Sequence, residues 1–238
     1  MATAPNDIVA PFRVAIGGLV HTFRTQRHMR VHLFITLATV LLALAMNLRI
    51  REVLVLLFMI NLVLVAEMFN SAIEAVVDLV SPNYSPLAKF AKDIAAGAVL
   101  VTTIMAIVVG ALIALGEDSW ERVRVSLSSE AVGLPVMFKM VLGFFAVFIC
   151  VVIGKGLGQR GQVLKGGLVS GHAAFGFFLA GTIVFITDKP LISAIAIMLA
   201  IIIAQSRWEA KVHSIFELTL GALVGLTLAL VLFGILPK

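Results

Sequence analysis

Seven apolar stretches, separated by short polar segments, occupy most of this chain. A membrane-spanning α-helix needs about 17–25 predominantly apolar residues, and each stretch is close to that length, the fifth and sixth being the shortest. The stretches cover residues 31–48, 53–80, 95–115, 134–153, 173–187, 191–205 and 215–236. The pattern predicts an all-α integral membrane protein with about seven transmembrane helices.

The thirty residues before the first stretch follow a different pattern. Pro11 can open a helix with apolar side chains on one side and arginines on the other. The apolar positions are Phe12, Ile16, Leu19, Val20 and Phe23, and the basic ones are Arg13, Arg24, Arg27 and Arg30. Basic amphipathic helices lie in the lipid headgroup layer. We therefore expect an interfacial helix here and no cleaved signal sequence.

Composition supports the membrane class. Hydrophobic residues make up 61% of the chain, charged residues 13%, and the mean hydropathy is +1.11. The net charge of +5 does not indicate a nucleic-acid partner, because basic residues accumulate beside membrane helices on the cytoplasmic side. With the amino terminus inside, eleven of the 18 basic residues face inward, which predicts a multi-pass inner-membrane protein with a cytoplasmic amino terminus.

A polar stripe interrupts the second apolar stretch. At about 100° per residue, Glu67, Asn70, Glu74 and Asp78 fall on one side of a helix. An ionised side chain near the bilayer centre costs roughly 2.5–3.5 kcal/mol on insertion scales, so clustered acids are retained where a cation, a proton or a polar substrate uses them. A satisfied interhelical network is the structural alternative.

The next helix begins with Lys89, Lys92 and Asp93. Basic residues and carboxylates at one membrane surface suit a phosphate together with a divalent cation, because magnesium is bound by a few carboxylates plus substrate phosphates. Phosphoryl transfer needs positioning and charge neutralisation more than covalent help from the protein. The first half therefore has the composition of a phosphoryl-transfer site.

The pattern Glu67-x-x-Asn70-Ser71-Ala72-Ile73-Glu74-x-x-x-Asp78, followed by Ala91-Lys92-Asp93, resembles the signature of the small bacterial diacylglycerol kinase and undecaprenol kinase family over about residues 10–115. The resemblance implies a homotrimer that uses ATP and Mg²⁺ on a lipid alcohol. It implies Glu67 as general base and Glu74 as metal ligand. It also implies nucleotide or metal contacts at Asn70, Asp78, Lys92 and Asp93.

One position departs from the family pattern. A glutamate that helps to hold the metal in the family is replaced here by Gln26. An amide oxygen can still coordinate magnesium but lacks the charge, so a kinase-like half without activity is an alternative. His28 and His32 are spaced i, i+4, but without a third ligand we interpret them as an interfacial pair in contact with water and not as a metal site.

The second half carries a different set of polar residues. Gly166-Gly167-Leu168-Val169-Ser170-Gly171-His172 runs directly into an apolar helix, whose first N–H groups can face an anion. Ser206-Arg207-x5-His213-x3-Glu217 precedes and opens the last helix. Arg207 offers a planar fork for phosphate oxygens, and Glu217 can fix the tautomer of His213 and make its ring nucleophilic.

These residues resemble the type 2 phosphatidic acid phosphatase superfamily over about residues 134–236. The resemblance implies His213 as nucleophile, His172 as acid for the departing lipid alcohol, Glu217 as the orienting carboxylate, and no metal. It implies phosphoryl contacts at Arg207, Ser170, Gly171 and Lys155. Val169 stands in place of the motif's proline and Glu217 in place of its aspartate, and Gln162 stands where an arginine is expected. Arg160 or Lys165 can take the place of that arginine.

Together these observations predict two membrane modules, residues 1–115 and 134–238, joined by a polar linker at 116–133. The predicted function is a lipid kinase fused to a lipid-phosphate phosphatase, with membrane lipids and ATP as partners. A phosphatase with a degenerate kinase-like scaffold is one alternative. A proton-coupled transporter is another, but transport does not explain the two histidine motifs. The sequence leaves the lipid unidentified.

Overall fold

A computed structural model describes residues 10–46, 48–116, 134–158, 161–162 and 165–236, without the side chains of 161–166. Helices dominate these ranges, which confirms the predicted all-α membrane class. They are α1 (Ala10–Thr25), α2 (Arg27–Ala45), α3 (Ile50–Val80), α4 (Pro86–Ala114), α5 (Val136–Leu157), α6 (Gly171–Ile186), α7 (Pro190–Glu209) and α8 (Ile215–Ala229). A π-helical turn, Leu230–Ile235, continues α8, and Gly161–Gln162 (β1) pairs antiparallel with Lys165–Gly166 (β2).

Six of the helices in the described ranges are long and apolar enough to cross a membrane. They are α2, α3, α4, α5, α7 and α8 with its π-helical extension. All seven predicted stretches are helical, but α6 has only 16 residues and is about 24 Å long. That length is below the ~30 Å of a typical hydrocarbon core.

The chain divides into two compact units. The first comprises Met1–Thr25 with Val132–Lys238, and the second comprises Gln26–Ala131. The described residues 10–25 therefore pack with the carboxyl-terminal half, whereas the sequence-based division assigned them to the kinase-like half. Of the predicted linker, residues 117–133 lie outside the described part of the chain.

Helices α2, α3 and α4 form the unit Gln26–Ala131. Small residues let helices approach closely in a membrane, and within α4, which is described throughout, Ala95 is the one buried residue. Most large apolar side chains of α4 face outward, as expected where the surroundings are hydrocarbon. A cavity of about 260 Å³ lies among the three helices.

Helices α6 and α8 make the closest crossing of the other unit. A Cβ atom added at Gly225 would lie 2.2 Å from the carbonyl oxygen of Ala174, and one at Gly221 would lie 2.5 Å from that of Ser170. The spacing Gly221-x3-Gly225 is the small-residue pattern that permits backbone contact between membrane helices. The contact brings the amino-terminal ends of both helices together, and the Ser170 N–H donates to the Glu217 carbonyl at 3.0 Å.

Helix α1 packs on α5 at its carboxyl-terminal end. Val20 and Phe23 are buried, and a Cβ atom at Gly156 would lie 2.0 Å from the Phe23 ring, so glycine makes room for the phenylalanine. Phe12, at the other end of α1, is 67% exposed. The predicted apolar side of the interfacial helix is therefore buried against α5 at its carboxyl-terminal end and exposed at its amino-terminal end.

Candidate functional site

The polar stripe of α3 is the first candidate site. The helix continues without interruption through the apolar residues before Glu67, and at Glu67 and Asn70 the exposed fraction falls to 2% and 8%. The Asn70 amide Nδ2 donates to Glu74 Oε1 at 3.2 Å. The other amide atom, Asn70 Oδ1, is buried and has no hydrogen-bond partner among the described residues. A buried oxygen of this kind is an unused acceptor that can bind a ligand.

The stripe ends in an ion pair at the connection between α3 and α4. Lys92 Nζ pairs with Asp78 Oδ1, and both side chains are partly exposed. Pro86 occupies the first turn of α4, and Ser85 Oγ accepts the Ala88 N–H at 3.5 Å, as expected of an N-cap residue. The 31 residues of α3 span about 46 Å, which is longer than a ~30 Å hydrocarbon core is thick.

The donor atoms of the stripe fit a nucleotide-bound magnesium ion. The described residues contain no group of three or more His, Cys, Asp or Glu side chains that could hold a metal alone. Magnesium, however, is usually bound by one or two carboxylates together with substrate phosphates. Glu74 supplies such a carboxylate, and the Asn70 amide that bonds it leaves Oδ1 available to the nucleotide.

Two further predicted residues, Gln26 and Asp93, make no described contact with this stripe. Gln26 directly precedes α2, and its side chain does not cap that helix. Asp93 is exposed in the first turns of α4. Their predicted roles in holding metal and nucleotide stay predictions.

His32 is a neighbour of the stripe that the sequence analysis missed. It lies on α2, interacts electrostatically with Glu67, and lines the 260 Å³ cavity. The sequence interpretation paired it with His28, because the two residues are one turn apart. The pairing with α3 depends on how the helices pack, and no local pattern in the sequence indicates it.

The second candidate site begins at the start of α8. His213 is 7% exposed, and its Nδ1 lies 2.7 Å from Glu217 Oε2. Ser214 caps the helix, since its N–H donates to the same carboxylate and its Oγ accepts the Glu217 N–H, both at 3.3 Å. An Nδ1–H bond to a carboxylate leaves the lone pair on Nε2, which is the nucleophilic tautomer.

Arg207 and the loop after α7 hold His213 in place. The N–H groups of Val212 and His213 donate to the Arg207 carbonyl at 3.1 and 3.4 Å. Lys211 takes up the left-handed backbone conformation with φ of 54°, which turns the chain sharply. Arg207 Nε is buried without a hydrogen-bond partner among the described residues, so part of the guanidinium remains available to an anion.

Ser170 and Gly171 lie where α6 begins. Ser170 is fully buried, and its hydroxyl has no hydrogen-bond partner among the residues that the structure describes. Its side chain does not cap α6, so both the hydroxyl and the first N–H groups of the helix can serve an anion. This combination fits phosphate oxygens.

His172 shows that the cationic residues converge here. It is exposed in the first turn of α6, before the apolar part of that helix. The pKa of His172 is lowered from its ordinary value, first by partial desolvation and then by neighbouring positive charge. The neighbours that act on it are Arg207, His213 and Lys155. The structure thus brings both histidines, the arginine and the lysine into one electrostatic cluster.

Of the remaining predicted residues of this half, Lys155 is the one whose side chain the structure describes. Lys155 is buried near the end of α5 with 6% exposure. The Leu168 N–H bonds the Gly154 carbonyl at 3.1 Å, which folds the loop before α6 back on that end. Arg160 lies outside the described residues, and so does the side chain of Lys165. An apolar cavity of about 410 Å³ opens among α6, α7 and α8.

Comparison with known proteins concerns mainly the amino-terminal half. A sequence profile described as prokaryotic diacylglycerol kinase matches residues 13–114. The chain is 44% identical over 113 residues to a diacylglycerol kinase of Synechocystis sp., which covers 47% of this chain and 64% of that relative. The chain thus spans less than two thirds of that relative's length. No solved structure matches the chain.

Two other relatives agree with that match. The chain is 37% identical over 110 residues to an undecaprenol kinase of Bacillus subtilis, covering 46% of this chain and 89% of the relative. It is 47% identical over 47 residues to a diacylglycerol kinase of Escherichia coli, covering 20% of this chain and 38% of the relative. The shared region contains the polar stripe and its ion pair, and through residues 13–114 the chain belongs to the prokaryotic diacylglycerol kinase family.

Proposed function

We propose that the amino-terminal half is a lipid kinase that transfers the γ-phosphoryl group of ATP to a membrane lipid alcohol. The observation that carries this proposal is the buried Glu67 beside the Asn70–Glu74 pair, at a membrane depth where an acid is costly. The relatives are named diacylglycerol kinase and undecaprenol kinase. Diacylglycerol and undecaprenol are therefore the two lipid alcohols to test first.

In this proposal each polar residue has one role. Glu67 accepts the proton of the lipid hydroxyl, whose oxygen bonds to the γ-phosphorus as the bond to the bridging oxygen breaks and ADP leaves. Glu74, assisted by Gln26, would hold Mg²⁺, which would neutralise phosphate charge. The nucleotide contacts come from Asn70, Asp78, Lys92 and Asp93. A homotrimer would cover the apolar outer side of α4 and complete the site.

The kinase proposal is tested with purified protein, γ-labelled ATP, Mg²⁺ and a panel of lipid alcohols. Glu74→Gln should eliminate labelling of the lipid, and Gln26→Glu should raise it or lower the Mg²⁺ concentration required, because it restores a charge near the metal. Glu52→Gln, a change of the same kind at the opposite end of α3, serves as control. Absence of lipid labelling by the unmodified protein with every alcohol would refute the proposal.

We propose as a second activity that the carboxyl-terminal half hydrolyses lipid phosphates. The supporting observation is the His213–Glu217 contact of 2.7 Å beside the fully buried, unpartnered Ser170 hydroxyl. His213 Nε2 attacks phosphorus while the bond from phosphorus to the lipid oxygen breaks, and His172 protonates that oxygen. Water then attacks the phosphohistidine and releases phosphate. Arg207, Ser170, Gly171 and Lys155 bind the phosphoryl oxygens.

The phosphatase proposal predicts that His213→Ala abolishes phosphate release from a lipid phosphate while ATP-dependent lipid labelling is retained. The activity should survive EDTA, because the nucleophile is a side chain and the leaving group is protonated by another. Trapping of a labelled, acid-labile phosphoprotein that His213→Ala lacks would support the covalent step. Phosphate release that requires a metal would contradict it.

Two opposed activities on one lipid would consume ATP without net change. We therefore propose that the two halves act on different lipids, and the same lipid panel tests this for both reactions. A single lipid used by both halves would refute it. Phosphate release without any lipid labelling would instead favour the phosphatase with a degenerate kinase-like scaffold. Proton-coupled transport is favoured only if neither reaction occurs.

A further inference from the structure

The carboxyl-terminal end of α5 is held by an arginine from the amino-terminal helix. Arg24 Nη2 lies 2.7 Å from the carbonyl oxygen of Lys155 and 2.7 Å from that of Gly158. The last four carbonyls of an α-helix lack helical partners, and the helix dipole places partial negative charge there. Charged hydrogen bonds from one guanidinium nitrogen satisfy one such carbonyl, that of Lys155, and the carbonyl of Gly158, which directly follows α5.

The packing around this contact holds Arg24 in place. Phe23, the preceding residue, is 1% exposed and occupies the space that Gly156 leaves open on α5. Arg24 Nε is buried and has no hydrogen-bond partner among the described residues. The Arg24 side chain thus lies between α1 and the turn that follows α5, and its Nε–H group is an unused donor.

The turn held by Arg24 packs against the segment that enters the candidate phosphate site. The Gly158 N–H donates to the Gly154 carbonyl at 3.2 Å, and the Leu168 N–H donates to the same carbonyl at 3.1 Å. A Cβ atom at Gly158 would lie 2.6 Å from the Leu168 backbone nitrogen. The end of α5 and the segment before Ser170 therefore form one packed unit, and a shift of one moves the other.

We propose that Arg24 is a positioning residue of the phosphate site, which fixes the end of α5 so that Lys155 and the Ser170 turn meet the phosphoryl group. The proposal rests on the phosphatase function proposed above. Arg24 does not touch the substrate in this scheme. It acts through the two carbonyls that it bonds, and so through Lys155.

The proposal is tested in the full-length protein with phosphatidic acid in mixed micelles as the probe substrate. Arg24→Ala should lower kcat/KM for phosphate release at least about tenfold, because misplacement of a binding group by an ångström can cost up to about a hundredfold. Arg24→Lys should fall nearly as far, since a lysine ammonium is more strongly hydrated than a guanidinium and less suited to a part-buried contact with two carbonyls. Arg13→Ala, which removes the same charge from the same helix, should leave the activity unchanged.

A double-mutant cycle separates positioning from general loss of structure. Lys155→Met alone should weaken phosphate release, and adding Arg24→Ala to it should have little further effect, because the two residues act as one unit. Fully additive losses would overturn the proposal, as would full activity of Arg24→Ala or Arg24→Lys. A thermal melt of each purified variant reports whether the protein has folded. If the unmodified protein releases no phosphate, the phosphatase proposal fails and this one with it, whereas an active parent with an indifferent Arg24 refutes this one alone.

Discussion

A single carboxylate oxygen organises the start of α8. Glu217 Oε2 is the partner of both His213 Nδ1 and the Ser214 N–H. The first contact fixes the imidazole, and the second completes the helix cap. Capping alone does not require a histidine at position 213, and a buried histidine alone does not require a cap. The two uses of Glu217 can therefore be separated by mutation.

Glu217→Gln should preserve the cap and impair the reaction. A glutamine oxygen still accepts the Ser214 N–H, but a neutral amide no longer stabilises the charge that His213 acquires on attack. We expect phosphate release to fall at least about tenfold, with little change in thermal stability. Glu209→Gln, at the exposed partner of Gln205, is the matched control and should retain full activity. Equal losses in the two variants would contradict the assigned role.

His172 predicts a pH dependence with a definite sign. Its pKa lies below the ordinary value of 6.5, so the protonated form that can donate to a leaving group predominates only in more acidic solution. The kcat/KM for a lipid phosphate should therefore fall as the pH rises through that lowered pKa. An aryl phosphate with a good leaving group should not show this dependence, and His172→Ala should remove it. The measurement is a pair of pH profiles, and identical profiles for both substrates would argue against His172 as the acid.

At the level of elements, the crossing of α6 and α8 determines whether the second site exists. Ser170 and His172 come from one helix start and His213 and Glu217 from the other. The glycines that allow contact lie one and two turns below, at Gly221 and Gly225. Site geometry thus depends on residues that have no functional side chain.

Gly225→Ala should separate these helices and weaken phosphate release. The added methyl would lie 2.2 Å from the Ala174 carbonyl oxygen and 2.7 Å from the Phe178 nitrogen, and backbone atoms cannot move aside as a flexible side chain can. Overpacking of this kind typically costs about 1–3 kcal/mol, which a thermal melt can detect. Gly18→Ala is the matched control, because a methyl there meets nothing within 4 Å. A Gly225→Ala protein as stable and active as the parent would show that the helices can part without cost.

The helices also show which features of the fold and the sites can be predicted from sequence patterns. Apolar runs predicted every described helix after α1, since hydrocarbon leaves the backbone few alternatives, and the i, i+4 spacing of His213 and Glu217 predicted their contact. The spacing of Asn70 and Glu74 likewise places their side chains together. Two interactions escaped prediction, the electrostatic interaction of His32 with Glu67 and the hydrogen bonds of Arg24 at the end of α5, because each joins different helices. Their partners depend on helix packing, which local periodicity does not encode.

For the whole molecule, the length of α6 decides the topology. If α6 crosses the bilayer, the described helices that follow α1 make seven crossings, and the start of α2 and the end of α8 lie on opposite sides. Its roughly 24 Å can cross by local thinning of the bilayer at modest cost. If α6 does not cross, its two ends face the same side, and the last two helices take the reverse orientation.

Single cysteines distinguish these arrangements in a Cys150→Ser background. With the amino terminus inside and seven crossings, Asn83→Cys, between α3 and α4, and Leu168→Cys, before α6, should react with a membrane-impermeant thiol reagent only after the cells are opened. Asp188→Cys, between α6 and α7, should react in intact cells. All three positions are exposed in the structure, so access to the reagent depends on the side of the membrane.

Two outcomes would contradict this arrangement. Protection of Asp188→Cys in intact cells would show that α6 does not cross the bilayer. Labelling of Leu168→Cys in intact cells would place the phosphatase site on the outer face. The expected pattern would put both candidate sites on the cytoplasmic face, so that lipid phosphates must reach the inner leaflet before they are cleaved.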